Sequence, residues 1–189
     1  MKVRFGLVLL LLQATVAFCQ EKFLPEIKKG ITLTYQVSAQ GQLFPVLMKI
    51  DSIGPEYSRF NWSMSDGTSG YVINTKPSLE NAIRGYWGNL NNGEDQTMPQ
   101  DQTIIVASKA LWNAIQKDKK FTLDDQQFIV KDQPADAIFK LNSKPVNVVY
   151  AETANAGVRV WFLNNQAAPI MLKIEGNPAG VDIFLQSID

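Results

Sequence analysis

The sequence predicts an α+β fold that is mostly β, namely a strongly curved antiparallel sheet or partial barrel with two short helices inserted between two meanders. Three observations support this prediction. Apolar and polar residues alternate strictly after Gly30, as strands with one buried face require. The pattern changes to helical spacing within residues 75–119. Strand-like alternation then returns and continues to the C-terminus, so two strand-rich blocks flank a helical insert.

Four strands in meander order open the predicted domain. They are expected at 31–38, 44–50, 57–64 and 71–73. In 31–38 every odd position is apolar and every even position is polar, which predicts a half-buried strand. Pro45 favours a position at the sheet edge for the second strand. The dipeptide Asp66-Gly67 is a strong tight-turn signal between the third and fourth strands.

Two helices and a loop are predicted in the insert. Pro77 suits a first helical turn, and the apolar residues that follow it predict a helix over about 77–87. Residues 89–102 are rich in Asn, Gly, Asp and Gln, which predicts a mobile loop without regular structure. Ser108 is a suitable N-cap for a second helix, whose apolar stripe contains Trp112.

The second block of strands carries apolar residues on more than one face. Its strands are expected at 121–123, 128–130, 138–141, 146–150, 158–163, 170–174 and 181–188. In 158–163 and 181–188 apolar residues lie on both faces, whereas a sheet with one wet surface needs them on only one. We therefore expect a curved sheet with helices on one side and apolar material, either core or a cavity, against parts of the other.

The N-terminal residues have the organisation of a secretory signal peptide. A short positive end precedes an apolar stretch at 5–12, and 17–19 match the small-x-small pattern of a cleavage site. We expect 1–19 to be removed and 20–189 to form a single exported domain, either periplasmic or secreted. Cys19 leaves lipid anchoring as an alternative. No later stretch is long enough to cross a bilayer as a helix, so the protein is not expected to span a membrane.

The composition excludes several chemistries. The chain has no histidine, and its one cysteine is Cys19, so the predicted domain lacks the side chains most used for nucleophilic, acid-base and transition-metal chemistry. Adjacent residues on a strand point to opposite faces, so Asp124 and Asp125 would not share one metal ion. We expect these two residues in a turn on the solvated surface. The 18 basic and 18 acidic residues are scattered, which argues against nucleic-acid binding. We expect no cofactor, no metal and no enzyme activity.

The C-terminal block resembles a group of small secreted bacterial proteins. In 158–173 a strand that contains Trp161 and ends in polar turn residues is followed by Pro-Ile-Met-Leu-Lys, and 184–188 form a final strand. This pattern is similar to that of the DUF3108-like family, and the Phe-Cys-Gln end of the signal resembles those of exported Bacteroidetes proteins. The resemblance implies a strongly bent antiparallel sheet that forms a partial barrel, akin to periplasmic lipoprotein carriers. It implies no particular binding or catalytic residue.

Six large apolar side chains are the candidates for ligand binding. They are Trp62, Met64, Trp87, Trp112, Trp161 and Phe184. Aromatic faces stack well on sugar rings, bases or acyl chains. Each tryptophan also fits the buried face of its element, which favours core packing over ligand binding for any one of them. Trp87 is the strongest candidate because it is expected to end a helix just before the loop.

The sequence therefore predicts a non-enzymatic exported envelope protein that binds an apolar or amphipathic ligand, such as a lipid, on a concave sheet. The alternative is a structural or protein-interaction module that docks onto another envelope protein by strand addition. A hydrolase that works without histidine and cysteine is the third hypothesis.

Overall fold

An eleven-stranded sheet is the main element of the protein in the computed structural model, which describes residues 22–189. The predicted signal peptide and Cys19 lie outside the described residues. The strands are β1 (Thr32–Ala39), β2 (Gln42–Ser52), β3 (Tyr57–Met64), β4 (Ser69–Thr75), β5 (Arg84–Gly85), β6 (Asp95–Thr97), β7 (Gln102–Thr103), β8 (Lys120–Leu123), β9 (Gln126–Lys131), β10 (Lys140–Leu141), β11 (Lys144–Pro145), β12 (Val148–Thr153), β13 (Arg159–Leu163), β14 (Met171–Glu175) and β15 (Val181–Ile188). The helices are α1 (Lys76–Asn81) and α2 (Lys109–Lys117), with a 3-10 turn at Ala135–Ala137. Within 22–189, neither helix has the length and apolar character that a membrane span requires.

The two predicted meanders join into one sheet. Its strand order is β6-β4-β3-β2-β1-β15-β14-β13-β12-β9-β8. Strands β1 and β15 pair antiparallel, with Tyr35 opposite Leu185, so the first and the last of the described strands lie side by side. The β4–β6 pair is parallel, and across the described residues the sheet does not close into a barrel. The predicted fold class, α+β and mostly β, is therefore confirmed.

The inner face of the sheet, defined as the face that carries Tyr35, Met48 and Ile183, holds much of the hydrophobic core. On β2, Val46 and Met48 are buried, whereas the intervening Leu47 is 39% exposed. This alternation is the pattern that a strand with one buried face produces. Phe121 and Phe128 stack with ring centroids 5.1 Å apart and extend the core toward β8 and β9.

Helix α2 begins where the sequence predicts. The Ser108 hydroxyl accepts a hydrogen bond from the Leu111 backbone N–H at 3.1 Å. It also donates one to the Ala82 carbonyl at 2.6 Å. The first bond caps the helix, and the second ties it to the chain that leaves α1. Leu111 and Ile115 are buried along the apolar stripe.

The chain covers part of the outer face, which lies opposite the inner face, with its own segment 135–147. The Trp161 indole N–H donates to the Ala137 carbonyl at 2.9 Å, and Phe139 packs on Phe184 with ring centroids 5.5 Å apart. The bridge between Phe23 and Val146 fastens the N-terminal residues to the same segment. The apolar outer positions of β13 and β15 therefore belong to a second packed layer.

Several predicted element boundaries are wrong, and pairing with distant residues is the reason. Helix α1 ends at Asn81 instead of extending to 87, because β5 pairs with β7 just beyond it. Residues 89–102 are not wholly irregular: β6 lies beside β4, and the Met98 N–H donates to the Ile73 carbonyl at 2.8 Å. The strand expected at 138–141 is reduced to β10.

Pro45 does not place β2 at the edge of the sheet, because β2 pairs with both β1 and β3. The pairing with β3 starts at Val46, opposite Met64, while Pro45 is opposite Gln36 of β1. The strand is thus paired on one side only at Pro45, and the missing N–H breaks no hydrogen bond to β3.

Candidate functional site

An apolar cavity of about 230 Å³ lies between the inner face of the sheet and the segments that cross it. The sheet contributes side chains from β1, β2, β3, β8, β13, β14 and β15, and α2 contributes Leu111. The crossing segments are 85–90, which we call the strap, and 103–106. Val46 and Met48 are buried in the wall, whereas Val37 and Phe44 keep partial exposure near the tip of the β1–β2 hairpin. The cavity therefore has a deep apolar end and a partly open rim.

The polar atoms of the cavity wall are few and neutral. The Tyr35 hydroxyl donates to the Met171 carbonyl at 2.8 Å across β15. Burial raises the pKa of Tyr35 far above its ordinary value, so this side chain stays protonated. No charged side chain lies among the described residues that line the cavity. The wall is thus suited to apolar groups and offers no ion partner.

The strap forms one side of the cavity and is folded tightly on itself. A Cβ atom on Gly85 would lie 2.5 Å from the Trp87 ring, and one on Gly88 would lie 2.8 Å from the Tyr86 hydroxyl. The two glycines therefore allow the neighbouring aromatic rings to fold back over the backbone. The Tyr86 N–H donates to the Thr103 carbonyl at 2.9 Å, which joins the two crossing segments.

Asp124 holds the strap in place from the β8–β9 turn. Its carboxylate accepts hydrogen bonds from the Trp87 indole N–H at 2.8 Å and from the Gly85 N–H at 2.9 Å. Asp124 and Asp125 have φ angles of +52° and +61°, so they form a two-residue hairpin turn with both residues left-handed. The predicted turn is confirmed. Asp125 is exposed there, as expected for a solvated turn, whereas Asp124 is half-buried.

Trp87 and Met64 line the cavity, whereas the other four predicted site residues do not belong to its wall. Trp62 is fully buried on β3, and Trp112 is buried on α2. Trp161 and Phe184 lie on the outer face against the segment 135–147. These four side chains therefore take part in packing, which the sequence favours for each tryptophan. Trp87 reaches the cavity from the strap and not from a helix end, because α1 stops six residues earlier.

Two parts of the site were missed from the sequence. One is the role of Asp124: the sequence predicts that it lies in a turn, but not that it accepts a hydrogen bond from Trp87, 37 residues earlier in the chain. The other is 104–106, an Ile-Ile-Val run directly before α2. Ile105 has φ +50°, which is unusual for a β-branched residue. Its carbonyl accepts from the Met171 N–H at 2.6 Å, which pins this segment to β14.

The hydrogen bonds of Asp124 predict an unequal effect of two neighbouring substitutions. Asp124→Ala removes the acceptor for Trp87 and Gly85, and we expect it to lower the free energy of unfolding by about 1–3 kcal/mol. Asp125→Ala is the matched control, because it sits at the second left-handed position and loses only an exposed ion pair with Arg84. For both variants, urea unfolding measures the loss of stability, and hydrogen exchange of the Gly85 amide measures how firmly the strap is held. Equal effects of the two variants would contradict the assigned role of Asp124.

The pKa of Asp124 predicts a pH dependence. Burial raises this pKa above its ordinary value, while the hydrogen bonds from Trp87 and Gly85 oppose the rise. A carboxyl group with a raised pKa in the folded state adds stability below its unfolded pKa and loses it as the pH rises through the folded pKa. Because the Asp124→Asn side chain does not titrate, wild type should gain stability relative to this variant between about pH 7 and about pH 3. Urea unfolding of both proteins across that pH range tests this prediction. A difference in the free energy of unfolding that does not change with pH would refute it.

The DUF3108-like resemblance and the Bacteroidetes origin stay predictions, as does the exported location that 1–19 suggest. Comparison with known proteins adds no relative on which a function could be based. No protein-family model, curated protein or solved structure matches this chain.

Proposed function

We propose that this protein is a non-enzymatic binder of a small apolar or amphipathic ligand, held between the inner face of the sheet and the strap. The observation that carries the proposal is the 230 Å³ cavity with an apolar wall and a partly open rim. Compact apolar pockets with few polar groups are the usual form of small-molecule sites. Export through 1–19 would place such a binder in the periplasm or outside the cell.

The volume limits the size of the ligand. A cavity of about 150 Å³ accepts benzene, which has six carbon atoms. In proportion, the 230 Å³ of this cavity hold about nine non-hydrogen atoms. The ligand, or the part of it that is enclosed, is therefore a compact ring system or a short acyl segment. A whole phospholipid is too large.

The methionines provide a direct test. Met48, Met64 and Met171 line the cavity, whereas Met98 is buried elsewhere. With ¹³C-labelled methionine methyl groups, a titration with toluene or 1-octanol should shift the three cavity signals and leave the Met98 signal in place. Native mass spectrometry and solvent extraction of the purified protein would show any molecule that it carries.

The titration also has an outcome that rejects the proposal. Saturating ligand without a shift of Met48 or Met171 would exclude binding in the cavity. Shifts of equal size at all four methionines, including Met98, would indicate a non-specific effect of the ligand on the whole protein.

No specific observation favours the alternative functions. Strand addition needs a long free edge, but the sheet ends in the three-residue β6 and the four-residue β8, and short edge strands hinder such pairing. For a hydrolase, the buried Ser108 hydroxyl is already used in capping α2. Docking onto an envelope protein and hydrolysis are therefore not proposed.

A further inference from the structure

We propose that the cavity selects uncharged ligands and rejects a carboxylate or an ammonium group on the same apolar skeleton. This inference rests on the proposed function and specifies the chemical class of its ligand. Neutral alcohols and hydrocarbons of about nine non-hydrogen atoms belong to this class, whereas ionised fatty acids of the same length do not.

The hydrogen-bond donors of the wall carry the first part of the argument. The Tyr35 hydroxyl is engaged with the Met171 carbonyl, and the Trp87 indole N–H with Asp124. The Tyr86 hydroxyl donates to the Asn89 carbonyl at 2.9 Å. A carboxylate inside the cavity would thus have to break an existing hydrogen bond to gain any of these three donors, and an unpaired buried charge is strongly unfavourable.

The remaining polar side chains of the wall are neutral. Thr103 is buried and Asn89 is exposed at the rim. The hydroxyl of Thr103 and the amide of Asn89 are each able to form a hydrogen bond with a neutral polar group of the ligand, such as an alcohol. Neither side chain supplies the full charge that would compensate for the desolvation of an ion.

The charges just outside the strap do not attract an anion. The strap also borders an open cleft, which is lined by Arg84 and by the two carboxylates of Asp124 and Asp125. The guanidinium of Arg84 is already paired with Asp125 at 2.8 Å, so the local balance is one positive against two negative groups. A cation is not favoured inside either, because Asp124 already accepts two hydrogen bonds from the strap.

The test compares three ligands with one skeleton on the full chain near neutral pH. They are 1-octanol, octanoate and octylammonium, and binding is followed through the methyl signals of Met48 and Met171. We expect 1-octanol to bind at least about tenfold more tightly than either ion, which corresponds to about 1.4 kcal/mol. The Met98 signal is the internal control.

The outcomes separate this inference from the proposed function. Octanoate or octylammonium that binds at Met48 as tightly as 1-octanol overturns the selection for neutral ligands but keeps the cavity as a binding site. Failure of all three ligands, and of toluene, to shift Met48 and Met171 overturns the binding function and the selection together.

Discussion

Replacing Val46 with phenylalanine is expected to weaken the binding of 1-octanol at least about tenfold, or about 1.4 kcal/mol, without unfolding the protein. Val46 is 6% exposed and lines the cavity from the middle of β2. The larger side chain adds four carbon atoms, so a space for about nine non-hydrogen atoms would hold only about five. An octanol molecule then no longer fits.

The neighbouring residue provides a matched control for this prediction. Leu47→Phe adds an aromatic ring at the next position of the same strand, on the outer face, where Leu47 is 39% exposed. We expect unchanged octanol affinity for this variant. Filling a cavity commonly stabilises a protein by about 0.5–2 kcal/mol, so the Val46→Phe protein should unfold at a urea concentration no lower than wild type. Wild-type affinity in a folded Val46→Phe protein would show that the ligand binds elsewhere.

Replacing Trp161 with alanine is expected to lower the free energy of unfolding by about 3–5 kcal/mol. Trp161 is 1% exposed, and its ring lies 5.1 Å from that of Tyr150. The substitution removes the largest side chain of β13 and leaves the Ala137 carbonyl without the indole N–H that it accepts. Loss of this contact should also loosen the segment 135–147, which chemical denaturation and hydrogen exchange would detect.

A second variant separates packing from ligand binding at this position. Trp161→Phe keeps an aromatic ring and loses the hydrogen bond, with an expected cost of about 1–3 kcal/mol. Its affinity for 1-octanol should equal that of wild type, because Trp161 lies on the face of the sheet opposite the cavity. A folded Trp161→Phe protein that no longer binds 1-octanol would show that Trp161 does contribute to ligand binding.

Local patterns predicted those elements whose limits depend on nearby residues. The C-terminal strand was predicted at 181–188 and is observed over the same residues, because clear turn residues precede it. The N-cap at Ser108 was also correct, since a cap involves only the first turn of the helix. Helix α1 was predicted too long because its end depends on the distant pairing of Arg84 with Gln102.

The candidate site was predictable only in part for the same reason. Trp87 was named from the sequence and does line the cavity, yet the expected helix end is absent. Its position depends on a hydrogen bond to Asp124, 37 residues away in the chain. Trp161 and Phe184 were also named from the sequence because of their apolar side chains, but they do not line the cavity. The segment 135–147 covers both of them.

Apolar periodicity was enough to predict the fold class, most of the strands of the main sheet and the apolar character of both faces of the late strands, because it records which residues share a face of one element. The folded arrangement was needed to show which face of the sheet is covered by the chain and which face borders the cavity. Periodicity carries no information about the partner of a face. That partner is set by long-range pairings, such as β1 with β15 and the strap with the β8–β9 turn.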